Sequence, residues 1–153
     1  MDAEVNYITP EGYFKLKARY EELYSGERPK LIETISWAAG NGDRSENGDY
    51  IYGRKRLREV DREINHLSRR MKDAKVVDPT QQPDRNRAWF GATVTIVDED
   101  DVERTVTLVG EDEADPNAGS LSYVSPLAQA LFGKEVGDEV QVAGGDVEII
   151  AIG

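Results

Sequence analysis

Apolar residues recur at alternating spacings of three and four through Tyr50, Gly53, Leu57, Val60, Ile64, Leu67, Met71 and Ala74. That period predicts one helix with a single buried stripe, running from about Asp49 to Lys75 with no proline before Pro79. At 1.5 Å per residue such a helix is roughly 40 Å long. A second stripe lies upstream: Tyr13, Leu16, Tyr20, Leu23 or Tyr24, then Leu31, Ile35 and Ala38. Thr9 is placed to cap it, Pro10 suits its first position and Glu11 complements its N-terminal dipole. Pro29 removes one backbone donor mid-stripe, and with Gly26 nearby it predicts a kink or short break. The helix should stop near Gly40 or Gly42, with glycine in left-handed dihedrals.

Two such helices joined by a short polar run predict an antiparallel helical hairpin, each stripe buried on the other. No third amphipathic helix of similar length exists to complete a bundle, which favours a projecting hairpin. The texture changes at the polar, proline-punctuated stretch from Asp78 to Arg87. Beyond it, Ala92–Val97 and Thr105–Val109 alternate threonine with apolar residues about the turn Asp98-Glu99-Asp100-Asp101. Further strands are expected at Ser120–Val124, Glu139–Val142 and Val147–Ile152, the last two joined through Gly144-Gly145. One short helix is marked by Ser125 as cap, Pro126 as first residue and Gly133 as stop. The expectation is an α+β protein: a coiled-coil hairpin over residues 1–78, then an antiparallel sheet with one short helix over 79–153.

The net charge of −11 is unevenly placed. Residues 1–78 carry 15 basic and 15 acidic side chains, whereas residues 79–153 carry 4 and 15. This asymmetry argues for two units with different partners. No apolar run approaches a membrane span and the acidic N-terminus has no signal-peptide pattern, so a cytoplasmic protein is expected. Zero cysteines exclude disulfides and thiol-ligated metals. His66, the single histidine, falls on the long helix where a solvated flank is the ordinary reading, and no His-based triad or zinc site is available. The acidic runs at Asp98–Asp101 and Glu111–Asp115 lack the ligand spacing and central glycine of a calcium loop.

Between the helices, the run Gly42-Asp43-Arg44-Ser45-Glu46-Asn47 places two acids, Asp43 and Glu46, at the end of a rod. An acid pair in a polar loop is a weak motif. In the plainer alternative Asp43, Ser45 or Asn47 merely caps the second helix. In the functional one, two exposed carboxylates complete a Mg²⁺ site whose other ligands belong to a different protein. From residue 54 to 75 there are 9 basic and 4 acidic side chains. Arg54, Arg58 and Arg62 share a face with Lys55 adjoining, suited either to phosphate attraction or to ion pairs with the helix acids. No aromatic interleaving points to base stacking.

These residues resemble the Gre family of bacterial transcript cleavage factors, and its GreB branch more than its GreA branch. The matching pieces are Glu11-Gly12-Tyr13, Lys15-Leu16-Lys17, Arg28-Pro29 and Trp37-Ala38-Ala39, then Gly42 to Asn47 with Asp49-Tyr50. Lys55 to Glu59, Phe90-Gly91-Ala92, Ser125 to Ala128 and Lys134 to Asp138 follow in the family's order. The resemblance implies a C-terminal domain similar to FK506-binding proteins and insertion of the coiled coil into the secondary channel of bacterial RNA polymerase. There the tip acids, matched by Asp43 and Glu46, would help hold a second Mg²⁺ that drives cleavage of backtracked RNA. The family's RNA-facing basic patch maps onto Arg54, Lys55 and Arg58, and the region docking at the channel mouth maps onto Ser125-Pro126. On this reading the chain is not itself an enzyme, binds no Mg²⁺ alone, is a monomer when free, and reaches the nucleoid through the polymerase. An acidic chain is not expected to bind free DNA. Gly48 and Gly53 depart from good helix formers near the tip.

Three rivals remain at this level. A peptidyl-prolyl isomerase has only Trp89, Phe90, Tyr123 and Phe132 for a proline pocket, and fold alone confers no activity. A channel-occupying inhibitor of the polymerase and a plain hairpin adaptor are the others.

Overall fold

The computed structural model describes residues 5–40, 47–81 and 86–153. Contacts divide the chain into two compact units, one over Phe14–Asp73 and the other over Ala74–Gly153 together with the chain up to Tyr13.

The unit over Phe14–Asp73 is a helical hairpin. Helix α1 (Pro10–Glu21) runs through a π-helical turn (Glu22–Glu27) into α2 (Arg28–Ala39), and α3 (Gly48–Asp73) returns. Cross-links descend along α3 as they climb the first arm: Arg19 to Glu63, Glu27 to Arg56, Ile35 to Gly53 and Ala38 to Asn47. The arms are therefore antiparallel. Leu16, Leu23 and Ala38 are buried on one arm, Val60, Ile64 and Leu67 on the other, as the two stripes require. His66 is exposed.

The first arm is not broken at Pro29: a π-helical turn lies just before it and α2 runs on through it. The reason lies in the stripe. Leu23 and Leu31 are eight positions apart, whereas two α-turns advance about 7.2 residues. A turn bonded i→i+5 absorbs the surplus residue and returns Leu31 to the side of the helix that carries Leu23. The Arg28 amide donates to the Leu23 carbonyl in this pattern, and Pro29, which lacks a donor, follows immediately in the first turn of α2. The arm ends at Ala39, but Gly40 keeps right-handed dihedrals (φ −81°, ψ −8°), not the left-handed ones expected of its stop.

The other unit is built on a five-stranded sheet in the order β5-β4-β3-β7-β6, from β3 (Thr93–Val97), β4 (Glu103–Val109), β5 (Ser120–Ser122), β6 (Glu139–Val142) and β7 (Gly145–Ile152). Three pairings are antiparallel, but β4 and β5 run parallel, so the sheet is mixed where an antiparallel one was expected. The connection from Gly110 to Gly119 carries the chain back through a short 3-10 turn, which lets β5 start level with Thr107. Helix α4 (Pro126–Leu131) buries Ala128 and Leu131 in the same core as Val94, Val106, Leu108 and Ile149.

A second, two-stranded sheet was not foreseen. Strand β1 (Asn6–Ile8) pairs parallel with β2 (Ala74–Val76), immediately after α3. Tyr123 fastens it: its hydroxyl donates to the Val5 carbonyl at 2.7 Å and accepts the Tyr7 amide at 3.3 Å. Its ring packs edge-on against both Tyr7 and Phe90. Glu113 holds the start of α1, accepting from the Thr9 amide at 2.9 Å, the Thr9 hydroxyl and the Gly110 amide at 3.0 Å. A Cβ at Gly12 would stand 2.6 Å from that carboxylate, which accounts for glycine there. Thr9 also caps α1 as expected, its hydroxyl accepting the Gly12 amide.

Candidate functional site

Asp43 and Glu46 lie outside the described residues; the residues flanking them close the hairpin. Helix α2 reaches Ala39 and α3 begins at Gly48, directly after Asn47. The Asn47 side chain accepts from the Tyr50 amide at 3.2 Å and donates to the Ala38 carbonyl at 2.7 Å. Of the three residues considered as caps for α3, Asn47 holds the Tyr50 amide, so that donor makes no demand on Asp43.

The basic run on α3 divides into two kinds of residue. Arg56 is built into the hairpin: its Nε donates to Glu27 at 2.6 Å, its second guanidinium nitrogen reaches the other Glu27 oxygen at 3.0 Å, and a third bond goes to Glu59. Hydrogen bonding to Arg56 pulls the Glu27 carboxyl below its ordinary range, and the same pair raises the guanidinium. Arg54, Lys55 and Arg58 are exposed, and none forms an ion pair with another described residue. Successive helical residues turn by 100°, which sets Lys55, Arg58 and Arg62 nearly opposite the buried stripe of Gly53, Val60 and Ile64. Arg54 lies at the edge of that outer face. The sequence pattern could not separate Arg56 from its neighbours, because its partner Glu27 lies on the other arm.

Ser125 and Pro126 stand at the start of α4. The Ser125 hydroxyl accepts the Ala128 amide, and Gln129 ties the turn to the Tyr123 carbonyl at 2.6 Å. Both residues line a groove of about 770 Å³ together with Leu121, Leu127, Ala130, Val142 and Ala143. Arg104, which no local pattern singles out, is the basic residue in its lining. It lies on β4, two strands from β7 and far in sequence from Ser125.

In each acidic run at least one carboxylate holds the local backbone. Asp98 closes the β3–β4 turn by accepting from the Asp100 and Val102 amides. Asp115 accepts from the Asn117 amide. Among the described residues no group of three or more acids or histidines is placed to hold a metal ion, and no helix is long and apolar enough to cross a membrane.

Comparison with known proteins decides the family. Residues 6–76 match the family described as transcription elongation factor, N-terminal, and residues 82–153 match the GreA/GreB C-terminal family. The chain belongs to the Gre family of transcription elongation factors. It is 48% identical to transcription elongation factor GreB of Neisseria meningitidis serogroup B over 88% of this chain and 83% of that protein. Identity to GreB of Pseudomonas aeruginosa is 47%, over 88% and 80% of the two chains, and to GreB of Yersinia pestis 46%, over 92% and 81%. Among solved structures, GreA factor homolog 1 of Thermus thermophilus aligns over 97% of this chain and 99% of that one, at 18% identity and a TM-score of 0.46. Within this Gre chain, the elements named above carry every residue expected to act except the two acids outside the described region.

Proposed function

We propose that this Gre factor carries Asp43 and Glu46 on the closed end of its hairpin into the secondary channel of bacterial RNA polymerase. The chain is a transcript cleavage and elongation factor acting on the polymerase: it stimulates the polymerase's own cleavage of backtracked RNA and does not catalyse alone. The observation that carries the tip assignment is the closure itself. Helix α2 ends at Ala39, the antiparallel α3 begins at Gly48, and Asn47 ties the two ends together. A hairpin some 39 Å long in its α3 arm is narrow enough to enter a passage that a globular unit cannot.

Two carboxylates make a weak site by themselves, but they suit a shared one whose remaining ligands come from the polymerase. Asp43 and Glu46 would hold a Mg²⁺ shared with the polymerase, which would supply an activated water and charge stabilisation at the scissile phosphate. Arg54 and Lys55, with Arg58 beside them, steady the extruded RNA through its phosphates. Ser125 and Pro126, at the mouth of the apolar groove, dock the C-terminal unit at the channel rim.

The test uses stalled, backtracked elongation complexes. Wild-type protein shortens the RNA from its 3′ end. Asp43→Asn and Glu46→Gln should abolish that shortening while still competing with wild type for polymerase. Cleavage surviving both substitutions would remove the tip assignment, and retention of cleavage at wild-type rates without added protein would remove the stimulatory role. Calorimetry on the isolated chain should show no micromolar Mg²⁺ binding.

A further inference from the structure

Helix ends leave backbone groups without intrahelical partners: amides at the start, carbonyls at the finish. At the closed end of this hairpin one side chain satisfies both kinds. Asn47 accepts the Tyr50 amide, in the first turn of α3, and donates to the carbonyl of Ala38, in the last turn of α2. Ala38 is fully buried and Asn47 half-buried, so the bridge is sheltered from competing water. A side-chain amide offers its donor and its acceptor on two separate atoms, which lets one residue reach both helix ends at once. A serine or aspartate at this position would keep the cap and lose the bridge.

We propose that Asn47 is a positioning residue for the cleavage reaction: by pinning the end of α2 to the start of α3, it fixes both attachment points of the segment that carries Asp43 and Glu46. This inference rests on the reading of those two acids given above. Fixing the ends of a short segment removes much of the freedom its side chains would otherwise lose on meeting a metal. Residues that orient metal ligands without touching the metal typically change affinity for it by about 10–100-fold. The clamp should therefore appear in the magnesium requirement and not in docking to the polymerase.

The experiment compares wild type, Asn47→Ser and Asp43→Asn on backtracked complexes over a magnesium titration. Competition for polymerase binding is measured alongside. Asn47→Ser should raise the Mg²⁺ concentration for half-maximal cleavage about tenfold, with saturating cleavage largely recovered and polymerase binding unchanged. Hydrogen exchange at the Tyr50 amide should stay slow in this variant, showing that the cap persists. Should that amide exchange freely, Asn47→Asp, which keeps the acceptor, takes its place in the same comparison. A wild-type magnesium midpoint would overturn the clamp, as would a loss confined to polymerase binding. If Asp43→Asn cleaves normally, the reading of the acids fails; if Asp43→Asn is inactive and Asn47→Ser is indistinguishable from wild type, only the clamp fails.

Discussion

Arg56 on α3 and Glu27 in the π-helical turn face each other across the hairpin in a two-pronged ion pair, with nitrogen–oxygen distances of 2.6 and 3.0 Å. Both side chains are about a third exposed, so water screens the pair and its net worth is roughly 1 kcal/mol or less. Its pH dependence has a definite sign. Glu27 titrates below its ordinary value of 4.5 because Arg56 stabilises the carboxylate. The contribution is complete above that value and is lost as the pH falls through the lower, folded one. Thermal melting followed by helix circular dichroism should show Glu27→Gln costing stability at pH 7 and costing less at a pH well below 4.5. An equal cost at both would mean the pair contributes nothing electrostatic.

Within one run of basic residues, the structure predicts two different phenotypes. Arg56→Ala should lower the melting temperature while leaving cleavage at permissive temperature near normal. The double substitution Arg54→Ala with Lys55→Ala should leave melting unchanged and reduce cleavage several-fold, most at high salt, where residual phosphate attraction is screened. Melting curves and cleavage assays at two ionic strengths distinguish them.

Gly53 lies inside α3, where alanine would ordinarily gain about 1 kcal/mol. Here a Cβ would stand 2.8 Å from Ile35 Cγ1 on the facing helix. Gly53→Ala should therefore be destabilising, by about 1–3 kcal/mol for an overpacked contact. Ile35→Ala should relieve the clash, making the pair non-additive in a double-mutant cycle read by urea unfolding. The glycine that looked like a soft spot in the helix is a close-packing position.

Ser125 has two assigned tasks, capping α4 and meeting the polymerase. Ser125→Ala should cost about 1 kcal/mol of stability through the lost cap. Ser125→Asp preserves the cap, so its effect on polymerase affinity isolates the docking contribution. Urea unfolding and competition binding on both variants separate the two.

Local pattern disclosed much of this molecule. The two stripes fixed the hairpin, the capping residues Thr9 and Ser125 marked helix starts, and threonine alternation marked β3 and β4. What escaped depends on partners far apart along the chain. Nothing near Asn6 announces Ala74, and a three-residue strand has too short a period to show itself. The parallel course of β5 was hidden likewise, because strand pattern carries no direction. Asn47 was legible as a cap, but its bond to Ala38 required knowing that α2 ends opposite it. The π-helical turn before Pro29 escaped for a different reason: a proline removes a donor wherever it sits, and only the eight-residue interval from Leu23 to Leu31 signals that the ladder has shifted there.

That surplus residue makes one position in the first arm dispensable. Deleting Ser25 would let the turn relax to ordinary α-helix with Leu23 and Leu31 seven apart, still on the same side. Deleting Thr34 instead would swing everything between it and Gly40 by about 100°, turning Ala38 away from Asn47. The arm thus tolerates shortening at the place where its helix looks irregular and nowhere tipward of it.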